Sequence, residues 1–152
     1  MERIAVFPGS FDPVTIGHVS IVERSLPMFD RVVLALGVNQ GKKSMFTLEE
    51  RMSWLQATFI GKSGVEVVSF EGLTADLCRR MNAQFIIRGL RNSTDHGYER
   101  SIALMNRALS GVETVFLPSL AEHAHISSTI VRELIANKAD VSAFVPKAVR
   151  LP

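Results

Sequence analysis

Groups that bind phosphate are concentrated in residues 7–18, whose sequence is FPGSFDPVTIGH. Gly9 lets backbone N–H groups approach an anion closely, Ser10 supplies a hydroxyl and His18 supplies an imidazole. The segment follows an apolar run and leads into a helical pattern, which is the place where open α/β sheets bind ligands. We therefore expect amide, hydroxyl and imidazole donors to converge on one phosphate group.

The same segment has an ordinary structural interpretation. Its Pro-Gly and Asp-Pro pairs are common turn formers, and Gly17 with His18 can simply open a helix. Their joint placement after a strand favours binding over turn formation alone. The charge of His18 stays open, because a helix N-terminus disfavours a cationic imidazole whereas a nearby polyphosphate favours one.

Two further segments place cations where predicted strands end. Lys42 lies in a loop after the second apolar run, where a lysine is either solvated surface charge or a phosphate contact. Arg88 and Arg91 flank Gly89 after the fourth run, and a guanidinium at a strand terminus either forms a salt bridge or meets an anionic ligand. Packing does not account for this arginine pair, so we favour the ligand.

Hydroxyl side chains follow the fifth apolar run. Ser127, Ser128 and Thr129 open a helical pattern, and consecutive hydroxyls at a helix start are most often N-caps. Capping alone is enough to explain them, so the residues by themselves do not decide between a cap and a ligand contact.

These segments need a scaffold that brings strand ends together. Each of five short apolar runs rich in β-branched residues predicts a strand, at residues 4–7, 32–38, 65–70, 85–87 and 112–117. The runs are nearly continuous, so we expect helices on both faces of the sheet. The sequence predicts one α/β domain over residues 1–152, doubly wound around a five-stranded parallel sheet.

Helical patterns separate the runs. We predict helices at residues 17–28, 51–60, 74–81, 95–109 and 128–136, and a short helix at 141–144 that Pro146 ends. Thr47 and Glu50 have the spacing of a capping box before the second helix.

Composition restricts the class of function. The net charge is only +2, and the basic residues lie at strand ends, not along one exposed stripe, which disfavours a nucleic-acid-binding protein. The longest purely apolar stretch, residues 32–36, is far shorter than the roughly 18 residues of a membrane-spanning helix. Residues 3–7 predict a strand instead of a secretory signal, and the single cysteine allows no intrachain disulfide, so we expect a cytoplasmic protein without a membrane segment.

Together the blocks resemble the nucleotidyltransferase superfamily with its Thr/His-x-Gly-His motif. Residues 15–18 are TIGH and follow GSFDP, which is similar to the phosphopantetheine adenylyltransferase branch. The blocks GKK, IIRGLR, YER and HISST follow in the order of that family, and the resemblance covers about residues 3–146. It implies a Rossmann-like fold and transfer of AMP from ATP to 4′-phosphopantetheine, which gives dephospho-coenzyme A and pyrophosphate in coenzyme A biosynthesis.

The resemblance also implies roles for single residues. His18, Lys42 and Arg91 are expected to be catalytic, because they supply donors and positive charge to the reacting phosphates. The expected ATP-binding residues are Ser10, Phe11, His18, Gly89, Arg91, Glu99, Ile126, Ser127, Ser128 and Thr129. The expected acceptor-binding residues are Ser10, Lys42, Thr74 and Arg88, with Leu73 in the same groove.

Direct in-line attack needs no covalent nucleophile, since the acceptor phosphate is already anionic. Cys78 lies in a predicted helix away from every block and is interpreted as a buried small hydrophobe. His123 and His125 lack the cysteine pair or carboxylate set of a metal site, so we expect no metal bound by protein ligands. Both histidines occupy positions where the family often has aromatic residues near adenine. Mg²⁺ is expected to arrive on the ATP phosphates.

Two alternatives stay open. Another nucleotidyltransferase of the superfamily, such as nicotinate mononucleotide adenylyltransferase, would share His18 and residues 127–129, although residues 88–91 argue against it. A non-catalytic nucleotide sensor would keep the fold without turnover. The family further implies a homohexamer, and dephospho-coenzyme A or coenzyme A as product or inhibitor at the same site.

Overall fold

The five apolar runs form the strands of one parallel sheet in the computed structural model, which describes residues 1–151. The strands are β1 (Ile4–Gly9), β2 (Arg31–Gly37), β3 (Val65–Phe70), β4 (Phe85–Leu90) and β5 (Glu113–Pro118). Their spatial order is β3-β2-β1-β4-β5. The predicted doubly wound sheet is therefore confirmed, and its topological switch point lies between β1 and β4, where such sheets bind ligands.

Residues 1–151 contain five α-helices, of which four connect successive strands and the last follows β5. They are α1 (Ile16–Ser25), α2 (Leu48–Thr58), α3 (Thr74–Arg80), α4 (Ser93–Ser110) and α5 (Ser128–Ala136), and a 3₁₀ turn over Ala121–His123 precedes the last of them. None of these helices combines the length and the hydropathy that a membrane span requires.

The predicted short helix at residues 141–144 is wrong. That segment forms an isolated turn, closed by a hydrogen bond from Phe144 N to the Val141 carbonyl oxygen at 2.8 Å. Pro146 follows within two residues and has no N–H with which a helix could continue. The other predicted helices are confirmed, with ends that differ by a few residues.

Side-chain caps fix where the helices begin. The predicted capping box is present, since Thr47 Oγ1 accepts from Glu50 N at 3.2 Å and Glu50 Oε2 accepts from Thr47 N at 2.8 Å. Ser127 Oγ caps α5 by accepting from Ile130 N at 3.2 Å. These helix starts lie at the edge of the sheet where the parallel strands end.

Two apolar layers cover the two faces of the sheet. One layer packs α1, α2 and α5 against residues such as Ala5 and Leu34, and the other packs α3 against residues such as Val6 and Ile86. Alternate residues of β1 belong to opposite layers, as the two-residue period of a strand requires. Cys78 is buried in the second layer, and burial raises the pKa of its thiol to about 11, so the thiol is protonated and unreactive near neutral pH.

The long helix α4 is the exception to this packing. Its 18 residues include one buried side chain, that of Glu99. Tyr98, Ile102, Met105 and Leu109 are all exposed, and their spacing of four, three and four residues places them along one side of the helix. The described part of the chain leaves this apolar stripe uncovered.

Replacing Leu34 by alanine is expected to lower the free energy of unfolding by about 2–5 kcal/mol, because the side chain is removed from a closely packed interior. Leu34 has 0% of its surface exposed, whereas Ile60 is 83% exposed and supplies the control. Ile60→Ala is expected to change the free energy of unfolding by about 0.5 kcal/mol or less. Urea denaturation measures both, and equal effects of the two substitutions would contradict the assignment of the interior.

Candidate active site

Two cavities lie side by side at the carboxyl edge of the sheet. The first has a volume of about 370 Å³ and the second about 860 Å³. The residues that line both are Pro8, Gly9, Ser10, Lys42, Arg88 and Glu99. Ligands that occupied the two cavities together would meet at these shared side chains.

The structure brings the residues singled out from the sequence into these cavities. All of the expected ATP-binding residues and all three expected catalytic residues line the first cavity. The four expected acceptor-binding residues line the second cavity. Of these four, Thr74 is the one that does not also line the first cavity. Their joint position agrees with the expectation, while the ligand contacts of each residue stay predictions.

The cavities open where β1 and β4 separate. The two strands pair at Ala5 with Phe85 and at Val6 with Ile86. Pro8 lies beyond these pairs and has no N–H to donate, so a regular ladder cannot continue through it. Arg88 Nη1 donates to the Pro8 carbonyl oxygen at 2.7 Å and bridges the gap.

Arg88 also forms an ion pair with a buried carboxylate. Its Nε donates to Glu99 Oε2 at 2.9 Å and its Nη2 donates to Glu99 Oε1 at 2.6 Å, a two-point contact between β4 and α4. Because Glu99 precedes Arg100 in a helix, its sequence context is also typical of a surface carboxylate paired with a basic neighbour. Its partner instead comes from a strand, and the pair forms the wall between the two cavities.

His18 is held in one orientation by the start of α1. Thr15 N donates to His18 Nδ1 at 3.0 Å, and Thr15 Oγ1 accepts from His18 N at 3.4 Å. This reciprocal pair is a capping box in which a histidine replaces the usual Glu or Gln. Because Nδ1 accepts a backbone hydrogen bond, the proton of the neutral ring is on Nε2, which can donate to a ligand.

The surroundings keep His18 neutral when no ligand is bound. Burial, followed by the positive charges of Arg88 and Arg91, lowers the pKa of the imidazole from 6.5 to about 4. The question that the sequence left open therefore has an answer for the free site. At neutral pH, His18 is an uncharged donor among cations.

Phe11 packs directly against this imidazole. The two ring centroids are 4.9 Å apart in an edge-to-face arrangement. Phe11 has φ of 45°, in the left-handed region that residues other than glycine rarely adopt. A Cβ on Gly9 would lie 3.1 Å from the Phe11 ring, so a larger residue there would require the ring to shift by a few tenths of an ångström.

The N-terminus of α5 borders the first cavity. Ser127 Oγ caps the helix, and Ser128 Oγ donates to the Pro13 carbonyl oxygen at 2.8 Å. Thr129 Oγ1 accepts from Arg132 Nη2 at 3.2 Å. The hydroxyls thus have structural partners, and the backbone N–H groups of the first turn, with the positive end of the helix dipole, are the groups that suit an anion.

Two lining residues, Asp95 and His123, were not among the site residues expected from the sequence, although the resemblance places His123 near adenine. Asp95 Oδ2 accepts from Arg91 Nε at 3.3 Å and holds that arginine beside the cavity. His123 lines the first cavity, and its Nδ1 is buried without a hydrogen-bond partner among residues 1–151. A spacing of four residues between Arg91 and Asp95 at a helix start was the one signal available for the first of these.

The second cavity combines one charged end with apolar walls. Ser10, Lys42 and Arg88 lie at the end shared with the first cavity, while Phe70 and Leu73 belong to its wall. Thr114 Oγ1, also part of the lining, is buried and lacks a hydrogen-bond partner within the described chain. Such a cavity suits a long uncharged ligand that carries an anionic group at one end.

Among residues 1–151, no three or more His, Cys, Asp or Glu side chains form a group that could hold a metal ion. His123 and His125 do not converge with carboxylates, and the groups that surround the first cavity are mainly cations, hydroxyls and amides. Arginine and lysine do not ligate metals at neutral pH, so the site is built for an anion.

Comparison with known proteins identifies relatives over nearly the whole chain. The cytidylyltransferase-like family model matches residues 6–134. The phosphopantetheine adenylyltransferase of Flavobacterium psychrophilum is 52% identical over 149 residues, which are 98% of this chain and 99% of the relative. That of Bacteroides fragilis is 43% identical over 149 residues, with the same coverage of each chain.

A solved structure has the same fold. A Vibrio parahaemolyticus protein described as a nicotinate-nucleotide adenylyltransferase matches with a TM-score of 0.75, covers 98% of this chain and 90% of its own, and is 22% identical. At that identity the likeness establishes the Rossmann-like fold alone. The family match and the near full-length identities show that this chain belongs to the cytidylyltransferase-like family and, within it, to the phosphopantetheine adenylyltransferases.

Proposed function

We propose that the protein transfers the adenylyl group of ATP to 4′-phosphopantetheine and releases dephospho-coenzyme A and pyrophosphate. The observation that carries the proposal is the pair of cavities that meet at Ser10, Lys42 and Arg88. A two-substrate transfer needs two adjoining sites with cations at their junction, and the chain is 52% identical to a protein named for this reaction.

ATP occupies the first cavity in this proposal. Its phosphates lie among His18, Arg91 and the N-terminus of α5, where donors and positive charge converge. His123 and Ile126 line the same cavity and border the space left for the base. The α-phosphate is then closest to the residues that both cavities share.

The acceptor occupies the second cavity. Its phosphate lies at the shared end beside Lys42 and Arg88, and its uncharged pantetheine arm runs along the apolar wall with Leu73 and Thr74. Since the product contains the same arm, dephospho-coenzyme A and coenzyme A fit the second cavity and compete with the acceptor there.

The reaction is an in-line displacement without a covalent intermediate. An oxygen of the acceptor phosphate forms a bond to the α-phosphorus of ATP while the bond between that phosphorus and the bridging oxygen breaks, and pyrophosphate leaves with the electron pair. His18 Nε2–H donates to the α-phosphate oxygens, on which charge grows. Lys42 and Arg91 neutralise the phosphates and hold the two substrates in line.

Mg²⁺ is proposed to accompany ATP. It supplies positive charge to the polyphosphate and keeps several water ligands, as this ion usually does. The carboxylate of Asp95 is engaged by Arg91, and Glu99 is engaged by Arg88. These two carboxylates are therefore already paired, and the ion would be held through the ATP phosphates with which it enters.

We further propose that the chain assembles into a homohexamer through the apolar stripe of α4. Tyr98, Ile102, Met105 and Leu109 are exposed along one side of that helix, and an exposed apolar patch of this kind marks an interaction site.

The reaction is tested by pyrophosphate release from ATP with 4′-phosphopantetheine or nicotinate mononucleotide as acceptor. Turnover is expected only with 4′-phosphopantetheine, and His18→Ala is expected to reduce kcat by about 10²–10³, the usual effect of removing one donor to developing charge. His96→Ala is the control, since His96 is exposed and lines neither cavity.

Turnover with nicotinate mononucleotide would move the protein to a different substrate class. ATP binding without pyrophosphate release would make it a nucleotide sensor. Equal kcat values for His18→Ala and wild type would remove His18 from the mechanism while leaving the reaction in place.

The imidazole of His18 is expected to titrate near pH 4 in the free protein and to carry its proton on Nε2 above that pH. Bound ATP is expected to raise the pKa, because its negative charge favours the cationic ring. Imidazole ¹⁵N NMR measures both, with His18→Ala to assign the signals. A midpoint near 6.5, or a proton on Nδ1, would contradict the site geometry.

The lowered pKa of His18 determines the direction in which the free energy of unfolding changes with pH. An unfolded chain takes up this proton near pH 6.5, whereas the folded chain does so only near pH 4. The unfolded state therefore binds more protons between these values, and the free energy of unfolding falls as the pH drops from 6.5 to 4.

Sedimentation tests the proposed assembly. Wild type is expected to sediment as a hexamer and Met105→Glu as smaller species, since a carboxylate placed in an apolar contact is costly to bury. Ile60→Glu is the control, because Ile60 is 83% exposed and lies outside α4. Monomeric wild type, or identical sedimentation of all three proteins, would overturn the proposal.

A further inference from the structure

Two buried charged residues, Asp12 and Arg51, lie beside the site but line neither cavity. They connect two segments that contribute residues to the cavity lining. One is residues 10–12, which follow β1 and contribute Ser10 and Phe11, and the other is the Lys42 loop, which we define as residues 38–47 between β2 and α2. Nothing in the mechanism described above uses either charge. Burying a charge is costly unless it is well paired. The burial of Asp12 and Arg51 therefore needs a physical explanation.

Asp12 holds the far end of the Lys42 loop. Its carboxylate is 5% exposed. Oδ2 accepts from Met45 N at 2.9 Å and Oδ1 accepts from Phe46 N at 3.0 Å. Two consecutive backbone N–H groups, three and four residues after Lys42, are thus fixed to the segment that carries Ser10.

Arg51 makes the complementary connection from α2. Its side chain is 6% exposed. Nη1 donates to the Ser10 carbonyl oxygen at 2.9 Å and Nε donates to the Phe46 carbonyl oxygen at 3.1 Å. No carboxylate of residues 1–151 lies within ion-pair distance of it. The planar guanidinium of Arg51 donates to two backbone segments at once. The single ammonium group of a lysine cannot reproduce this geometry.

The segment that these residues hold is strained. Phe11, between Ser10 and Asp12, has φ of 45°. Residues in such conformations persist only where the surroundings over-determine them, and they concentrate at functional sites. Arg51 fixes the residue before Phe11 and Asp12 is the residue after it. Arg132 adds a third connection from α5, because its Nη1 donates to the Asp12 carbonyl oxygen at 2.8 Å and forms an ion pair with Asp12 Oδ2 at 3.9 Å.

We propose that Asp12 and Arg51 are positioning residues. They set the distance between Lys42 on one side of the site and Ser10 and His18 on the other. Asp12 acts from the loop end through Met45 and Phe46, and Arg51 acts through Ser10 and Phe46. The inference rests on the proposed adenylyl transfer, in which Lys42 contacts the reacting phosphates.

The test is a double-mutant cycle between Asp12→Asn and Lys42→Ala, measured as pyrophosphate release with 4′-phosphopantetheine. An asparagine keeps the size of the side chain but presents an NH₂ group to one of the two N–H donors. Asp12→Asn is expected to lower kcat by about ten- to a hundredfold. Because Asp12 acts through Lys42, the double variant is expected to be no slower than Lys42→Ala alone.

Two companion measurements separate positioning from general loss of structure. Asp30→Asn is the matched control, because Asp30 Oδ2 also accepts from a backbone N–H, that of Arg3 at 2.7 Å, at the opposite edge of the sheet. Its kcat is expected to equal that of wild type. Hydrogen exchange of the Met45 and Phe46 amides is expected to accelerate in Asp12→Asn, while amides of the central strand β1 keep their protection.

Arg51→Lys provides a second cycle and carries the test if Asp12→Asn does not fold. Lysine keeps the charge but loses the two-point contact with Ser10 and Phe46, so the same non-additivity with Lys42→Ala is expected. Multiplicative losses in both double variants, unchanged kcat in both single variants, or wild-type kcat in Lys42→Ala would each overturn the inference. Absence of wild-type turnover would instead reject the proposed reaction itself, and the inference with it.

Discussion

The site depends on the separation of β1 from β4 and on the guanidinium of Arg88, which bridges the gap between the two strands. The two strands pair only near their amino ends, and Pro8 prevents a regular ladder further on. Arg88 satisfies the Pro8 carbonyl oxygen and at the same time pairs with Glu99 of α4. One side chain thus closes the floor of the crevice, attaches the long helix and forms the wall between the two cavities.

This arrangement concentrates positive charge, and the protein limits the resulting repulsion without a ligand. Arg88 is compensated by Glu99 and Arg91 by Asp95. His18, a further potential cation, is kept neutral by burial and by those arginines, which lower its pKa to about 4. The free site therefore presents donors that are already oriented, and in the proposed reaction the charge of the polyphosphate replaces part of the internal pairing.

The sequence was sufficient for the elements and for the edge at which the site forms, because strand ends and turn residues are local signals. It was not sufficient for the contacts within the site. The bond from Arg88 to Pro8 joins residues 80 positions apart, and the pairing of Arg88 with Glu99 depends on how α4 packs. The orientation of His18 was not predicted, although Thr15 and His18 have capping-box spacing, because the motif is usually sought with Glu or Gln. The helix predicted at residues 141–144 is an error of the opposite kind. A local pattern indicated a helix there, but the segment is short and Pro146 prevents a helix from continuing.

Buried charge has two different uses around this site. Arg88 and Glu99 line both cavities, so the positive charge of Arg88 can pair with an anionic ligand while Glu99 orients the guanidinium. Arg51 donates to backbone carbonyl oxygens, and Asp12 accepts from two backbone N–H groups and pairs with Arg132 at 3.9 Å. Both side chains are enclosed, so their charges serve geometry. An apolar pair of similar volume could fill the same space, but it could not specify the spacing of the two segments through directed hydrogen bonds. In a reaction that depends on alignment more than on covalent chemistry, that spacing is itself part of the catalytic apparatus.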